Sequence, residues 1–110
     1  MNKFREDNLK VKIGGRMSVI PSEIIFLSAD VNYTLLHLVN GEKLMVSYNL
    51  GKLQERLSDH SFFLRANKGV LVNMNFVTKF CDTCLKINEM EIRVSRRSKK
   101  MFTEYYRKLD

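Results

Sequence analysis

Apolar and polar residues alternate along most of the chain. Lys10-Val-Lys-Ile13 alternates with a period of two, Gly14-Gly15 is a turn that accepts positive φ, and Arg16–Ile20 reads as the returning strand of a hairpin. Pro21-Ser22 breaks that strand and starts a helical turn. Glu23–Ser28 is apolar and rich in β-branched and aromatic residues, the signature of a buried strand, and Ala29–Asn32 reads as a loop. Tyr33–Val39 and Glu42–Tyr48 are strands joined by Asn40-Gly41, the strongest hairpin dipeptide.

The period then changes. Leu50, Leu53 and Leu57 recur at i, i+3 and i+7 with Lys52, Gln54, Glu55 and Arg56 between them. This predicts a short amphipathic helix, with Asn49 placed to cap its first amides. Extended segments resume at Phe62–Leu64, are broken over Ala66–Gly69, and continue at Val70–Val72, Phe76–Phe80, Leu85–Ile87 and Met90–Val94. Ser95 can cap a final helix on which Met101, Phe102, Tyr105, Tyr106 and Leu109 share one face. The expectation is a mainly β, antiparallel domain of about eight to ten short strands, one short mid-chain helix and one C-terminal helix.

At 110 residues the chain has the size of one domain, able to fold without disulfides or metal. Residues 1–9 read as an N-terminal extension and 10–110 as the domain, with no linker, repeat or low-complexity segment. The longest apolar run, Ile24–Leu27, is far too short to span a bilayer, and the first seven residues hold no apolar signal region. Together with the lack of a disulfide framework, this points to the cytoplasm and away from a membrane.

Charge sharpens the picture. The chain carries 19 Lys and Arg against 12 Asp and Glu, a net of +7. Five of those net charges fall after Ile92, and residues 61–80 hold Arg65, Lys68 and Lys79 with no acid. Patches of this kind are what phosphate backbones select. Arg96, Arg97, Lys99 and Lys100 follow the Ser95 cap directly. Cations in a first helical turn are disfavoured by the helix dipole by a few tenths of a kcal/mol each, about the reverse of what a solvated helix places there. An incoming phosphate resolves the conflict, because the free amides of the helix start point the same way; a solvated charge run with no partner is the other reading.

Catalytic chemistry is not visible. The carboxylates are scattered, no glycine-rich loop precedes a helix, and no nucleophile has a recognisable base. His37, mid-strand, and His60, at a helix exit, read as structural or exposed. Cys81 and Cys84 form a C-x-x-C without the further ligands of a zinc site or the βαβ setting of a redox enzyme, so two reduced thiols beside a hairpin turn are expected. No enzyme activity, metal, cofactor or small-molecule substrate is expected.

The order of features resembles the LytTR DNA-binding domain of bacterial transcription regulators from about Ile13 to Leu109. The resemblance rests on Glu23-Ile-Ile-Phe-Leu27, Asn40-Gly41, Leu50…Leu53…Leu57, the stretch Phe63-Leu-Arg65-Ala-Asn67-Lys68-Gly69-Val-Leu-Val-Asn73, and the closing Ile92-Arg-Val-Ser95-Arg96-Arg97. It implies an elongated array of short antiparallel sheets and an unusual reading mode, in which inter-strand loops enter successive major grooves of double-stranded DNA. Carried over by position, Asn32, Tyr33, Lys68 and Arg97 fall near base edges, while Arg65, Asn67, Arg96, Lys99 and Lys100 fall toward phosphates. The residue chemistry agrees, since Arg and Lys donate to guanine and Asn pairs with adenine. Asn67 and Gly69 depart from the His and Ser usual in the family; Gly69 loses a hydroxyl and makes the loop more permissive. Relatives bind paired direct repeats, so two copies on DNA are expected from a free monomer or weak dimer. No receiver domain fits before Lys10, so the chain reads as a stand-alone output domain or an excised one.

Several residues keep two readings. Arg65 serves a phosphate or an internal salt bridge, and Asn73 fixes a turn in preference to touching DNA. Met101, Phe102, Tyr105 and Tyr106 pack on the sheets or form a contact strip. Two rival functions remain at this level: an RNA-binding or ribosome-associated small β module, and a basic protein-interaction module of a signalling complex. The first rival calls for adjacent exposed aromatics on a sheet.

Overall fold

Short strands need hydrogen-bonded neighbours, and the chain supplies most of them through consecutive tight turns. The computed structural model describes residues 10–109; residues 1–9, read as an extension, lie outside it. Among the described residues, ten strands form three antiparallel sheets. β1 (Val11–Gly14) and β2 (Met17–Val19) make a two-stranded hairpin. β3 (Ile24–Asp30), β4 (Tyr33–Leu38), β5 (Lys43–Val46), β6 (Phe63–Asn67) and β7 (Val70–Asn73) make a five-stranded sheet in the order β5-β4-β3-β7-β6. β8 (Lys79–Cys81), β9 (Cys84–Ile87) and β10 (Met90–Arg93) make a three-stranded meander. The two helices are α1 (Leu50–Arg56) and α2 (Arg96–Leu109).

The central sheet is covered on both faces, which divides the core in two. Ile24, Leu27, Leu36, Leu38 and Leu71 pack with Ile13 and Val19 of the first hairpin and Leu50, Leu53 and Leu57 of α1. Phe26, Ala66 and Val72 pack with Leu85, Ile87 and Ile92 of the meander and Phe102 of α2. A bulge decides which side chains go where. The register of β3 on β4 slips between Ile24 and Phe26, so Ile24 and Leu27, three apart, reach the same core. Without the bulge, strict alternation would send them to opposite faces.

Local signals in the chain are used as expected. Asn49 Oδ1 accepts from Lys52 N at 2.8 Å and caps α1. Asn73 is fully buried; its Nδ2 donates to Ile24 O at 2.9 Å and its Oδ1 accepts from Asn75 N, so it fixes a turn. Pro21–Glu23 forms a 3-10 turn.

Four expectations need correction. The loop after β3 is a turn of Val31 and Asn32 only, because Ala29 and Asp30 stay paired with Thr34 and Tyr33. β6 likewise runs on through Ala66 and Asn67, leaving Lys68-Gly69 as the turn; a bulge between Arg65 and Asn67 absorbs the break in the pattern. Phe76 belongs to a 3-10 turn over Met74–Phe76, not to a strand. Met101 is 47% exposed although Phe102 is fully buried, so the packing face of α2 centres on Phe102, Tyr105 and Tyr106. Phe80 bridges them, stacking 5.4 Å from the Tyr106 ring and 5.8 Å from the Phe102 ring.

Candidate nucleic-acid interface

The β6–β7 turn is built around one guanidinium. Arg65 donates from Nε to Asn67 O at 3.0 Å, from Nη2 to Lys68 O at 2.7 Å, and from Nη1 to Gln54 Oε1 of α1 at 2.7 Å. Partial burial moves it down from the ordinary arginine value. Its partners are carbonyl oxygens, so the anticipated internal salt bridge is not what forms: Arg65 braces the turn. Three of its five N–H groups are used this way, which leaves two. Asn67 braces the same turn from the other side, with Oδ1 accepting from Gly69 N at 2.8 Å and Nδ2 donating to Arg93 O at 2.7 Å. The exposed residue on this scaffold is Lys68.

Gly69 does not use glycine's freedom. It is absent from the positive-φ positions, and a Cβ there would meet Asn67 Oδ1 at an ordinary 3.8 Å. The more permissive loop expected from this departure is therefore not realised, and a serine would fit.

The start of α2 is pinned to the same place. Ser95 N donates to Ala66 O at 2.9 Å, and Ser95 Oγ accepts from Ser98 N at 3.2 Å as the helix cap. With β6 and α2 joined there, Arg65, Asn67, Lys68, Ser95, Arg97 and Ser98 line one open groove of about 500 Å³ that contains no acid. Arg96, Lys99 and Lys100 line a neighbouring groove along the exposed side of α2, with Thr103, Glu104 and Arg107. Lys99 reaches Asp82 Oδ2 at 3.5 Å, the one ion pair among the described residues. The pair is well exposed and holds little energy in water.

Asn32 and Tyr33 emerge at the same end of the central sheet. Ala29 N donates to Gly69 O at 2.8 Å, so the close of β3 lies against the Lys68 turn. Asn32 is exposed in the turn itself, and Tyr33 is half-exposed at the start of β4. Tyr33 does not join the Lys68 and Arg97 groove. It lines a separate one with Arg16, Met17 and Met45, between the first hairpin and β5. Arg16 and Arg107 are thus two cations on these surfaces that the sequence reading left unassigned. The signal for Arg16 was its place at the tip of the Gly14-Gly15 turn; Arg107 follows Arg96 and Lys100 at helical spacing.

The central sheet thus carries a core on each face, with the Lys68 turn and the basic start of α2 joined beside it. The family model of the LytTr DNA-binding domain matches residues 15–107. The chain belongs to the LytTR DNA-binding domain family, a family of DNA-binding domains and not a class of enzymes. Its fold is similar to that of the LytTr DNA-binding domain of a methyl-accepting/DNA response regulator from Bacillus cereus, with a TM-score of 0.64 at 21% identity, covering 92% of this chain and 94% of that one. Among curated proteins none matches. No helix among the described residues is long and apolar enough to cross a membrane.

Proposed function

We propose that the protein regulates transcription by sequence-specific binding of double-stranded DNA, reading successive major grooves with its turns and the start of α2. The observation that carries this reading is the acid-free groove in which Lys68 of the β6–β7 turn and Arg97 of α2 stand together on braced backbone. Two cations on separate elements, held by a shared scaffold, can address neighbouring base edges without a recognition helix lying in the groove. In this reading Lys68 and Arg97 donate to guanine O6 and N7, and Asn32 pairs with adenine at the next groove, with Tyr33 beside it. Arg96, Lys99 and Lys100 meet phosphates and supply the salt-sensitive share of affinity. Arg65 and Asn67 act chiefly by holding the turn, and the two spare N–H groups of Arg65 are left for a phosphate. Two copies occupy paired direct repeats, from a free monomer or weak dimer in the cytoplasm.

Selection of bound duplexes from a random pool, followed by gel-shift titration of the selected duplex, random duplex and single-stranded RNA across salt, tests the reading. The expected result is a motif repeated at a fixed spacing and preferred over random duplex at all salt concentrations. Tighter binding to single-stranded RNA overturns it in favour of an RNA-binding module. The aromatic residues favour the duplex reading, since Phe80, Phe102, Tyr105 and Tyr106 form a packed cluster under α2 and no base-stacking platform.

A further inference from the structure

Duplex reading leaves one chemistry-bearing motif unused. Cys81 and Cys84 are directly opposed across the β8–β9 hairpin, and their Sγ atoms lie 3.2 Å apart as free thiols. Directly opposed residues of an antiparallel pair have Cα atoms about 4.5–5.5 Å apart. That falls inside the window of about 4.4–6.8 Å usual for the Cα atoms of disulfide-bonded cysteines. The two thiols are also unlike each other. Cys81 is exposed. Cys84 is half-buried, and its Sγ donates to Glu91 Oε2 at 3.2 Å. Hydrogen bonds to Cys81 and Glu91 hold the Cys84 thiol in its protonated form, pushed up to about 12.

The turn between them is tied to the start of α2. Asp82 and Thr83 form the turn, with Asp82 at φ 42 in the left-handed region that tight hairpin turns use. Thr83 O accepts from Val94 N at 2.8 Å, and Asp82 pairs with Lys99. Movement of the turn therefore reaches residues on both sides of the Ser95 cap.

We infer that Cys81 and Cys84 are a modification site, converted reversibly by hydrogen peroxide to an intrachain disulfide, and that its closure displaces the start of α2. The Cys81 sulfur, as thiolate, attacks one peroxide oxygen; the O–O bond breaks, the other oxygen leaves as water after taking a proton, and Cys81 becomes a sulfenic acid. The Cys84 sulfur then attacks the Cys81 sulfur. The S–S bond forms, the S–O bond breaks, and hydroxide leaves as water with the Cys84 proton, for which the Glu91 carboxylate is the adjacent acceptor. Two thiols lose two electrons in total, and one peroxide is reduced to two waters. An external thiol reverses the step by exchange. Closure draws the sulfurs together by about 1 Å, toward a bond length of about 2.05 Å. It also removes the S–H that bonds Glu91, so the turn and its ties to Val94 and Lys99 readjust.

The test treats the full reduced chain with hydrogen peroxide, alkylates the remaining thiols and measures the intact mass. A monomer lighter by two hydrogens, with both thiols lost to alkylation and regained after dithiothreitol, is expected. In Cys84→Ser the reaction should stop at a sulfenic acid trapped by dimedone. Wild-type protein that instead accumulates sulfinic acid, or links only between chains, overturns the site. Amide spectra read the second half: the Val94 and Lys99 resonances should move on oxidation of wild type and stay still in Cys81→Ser/Cys84→Ser under the same treatment. Changes confined to residues 79–86 overturn the displacement. Neither readout involves DNA, so the inference stands or falls apart from the duplex reading.

Discussion

Two turns at one end of the central sheet carry candidate base-reading residues, and they are built in opposite ways. Lys68 sits on a turn held by Arg65 and Asn67 through both its flanking carbonyls and the Gly69 amide. Asn32 sits on a two-residue turn whose leading residue, Val31, is 90% exposed and at φ 56, a strained conformation for a β-branched side chain. The first turn is braced by side chains; the second is closed only by the strand pairing of Asp30 with Tyr33 and leaves its side chains exposed. Ordering exposed groups at an interface costs about 0.5–1.5 kcal/mol per side chain. In the proposed duplex reading, the Lys68 and Arg97 groove would dominate affinity and discrimination, with the Asn32 turn adding a smaller contact.

The contrast can be broken most sharply at Arg65. Arg65→Ala removes the brace and leaves the Lys68 and Asn67 carbonyls without their charged donor, so unfolding free energy in urea should fall by about 2–3 kcal/mol. Duplex binding should weaken as well although Lys68 and Arg97 are intact; unchanged stability would show that the turn holds itself. Next, Arg97→Ala should cost ~1–3 kcal/mol of specific binding and relax one base position. Uniform weakening on all duplexes would make Arg97 a phosphate contact only. Asn32→Ala should lower specific binding by about 1 kcal/mol, the low end for a bidentate base contact, and leave the melting temperature unchanged. A loss larger than that of Arg97→Ala would invert the ranking of the two turns. The smallest effect is expected at Val31. Val31→Gly relieves a left-handed strain of about 1–2 kcal/mol against a glycine entropy cost of about 0.5–1 kcal/mol. A net gain of about 0.5 kcal/mol in urea titration follows from these two figures, and a loss would mean that the Val31 conformation is unstrained.

Elements with local causes were legible in the chain. Asn49 and Ser95 cap the helices that their positions predicted, and the i, i+3, i+7 leucines bury against the sheet; Asn40-Gly41 does lie between β4 and β5, but the connection runs over residues 39–42 and is longer than the two-residue turn expected. Capping and period are written within a few residues, so no long-range contact is needed to see them. The exact extents of turns were less legible. Ala29, Asp30, Ala66 and Asn67 have weak strand propensity, yet each lies in a strand of the central sheet.

The candidate site divides in the same way. Sequence alone determined which cations and amides gather near the turns and at the α2 start, because the charge runs and the family's motif order are properties of the chain itself. Only the tertiary structure decided what each of them does. Arg65 and Asn67 look like ligand-facing polar residues in the sequence, but their hydrogen-bond partners are the carbonyls and amide of the turn they help to form, together with Gln54 of α1 and Arg93 of β10. Met101 shares a helical stripe with Phe102 but faces solvent, and two cysteines three residues apart become opposed thiols because β8 pairs with β9. Hydrogen-bond geometry and strand register join atoms that period and composition do not relate, and that is why the roles within the site emerge from the fold.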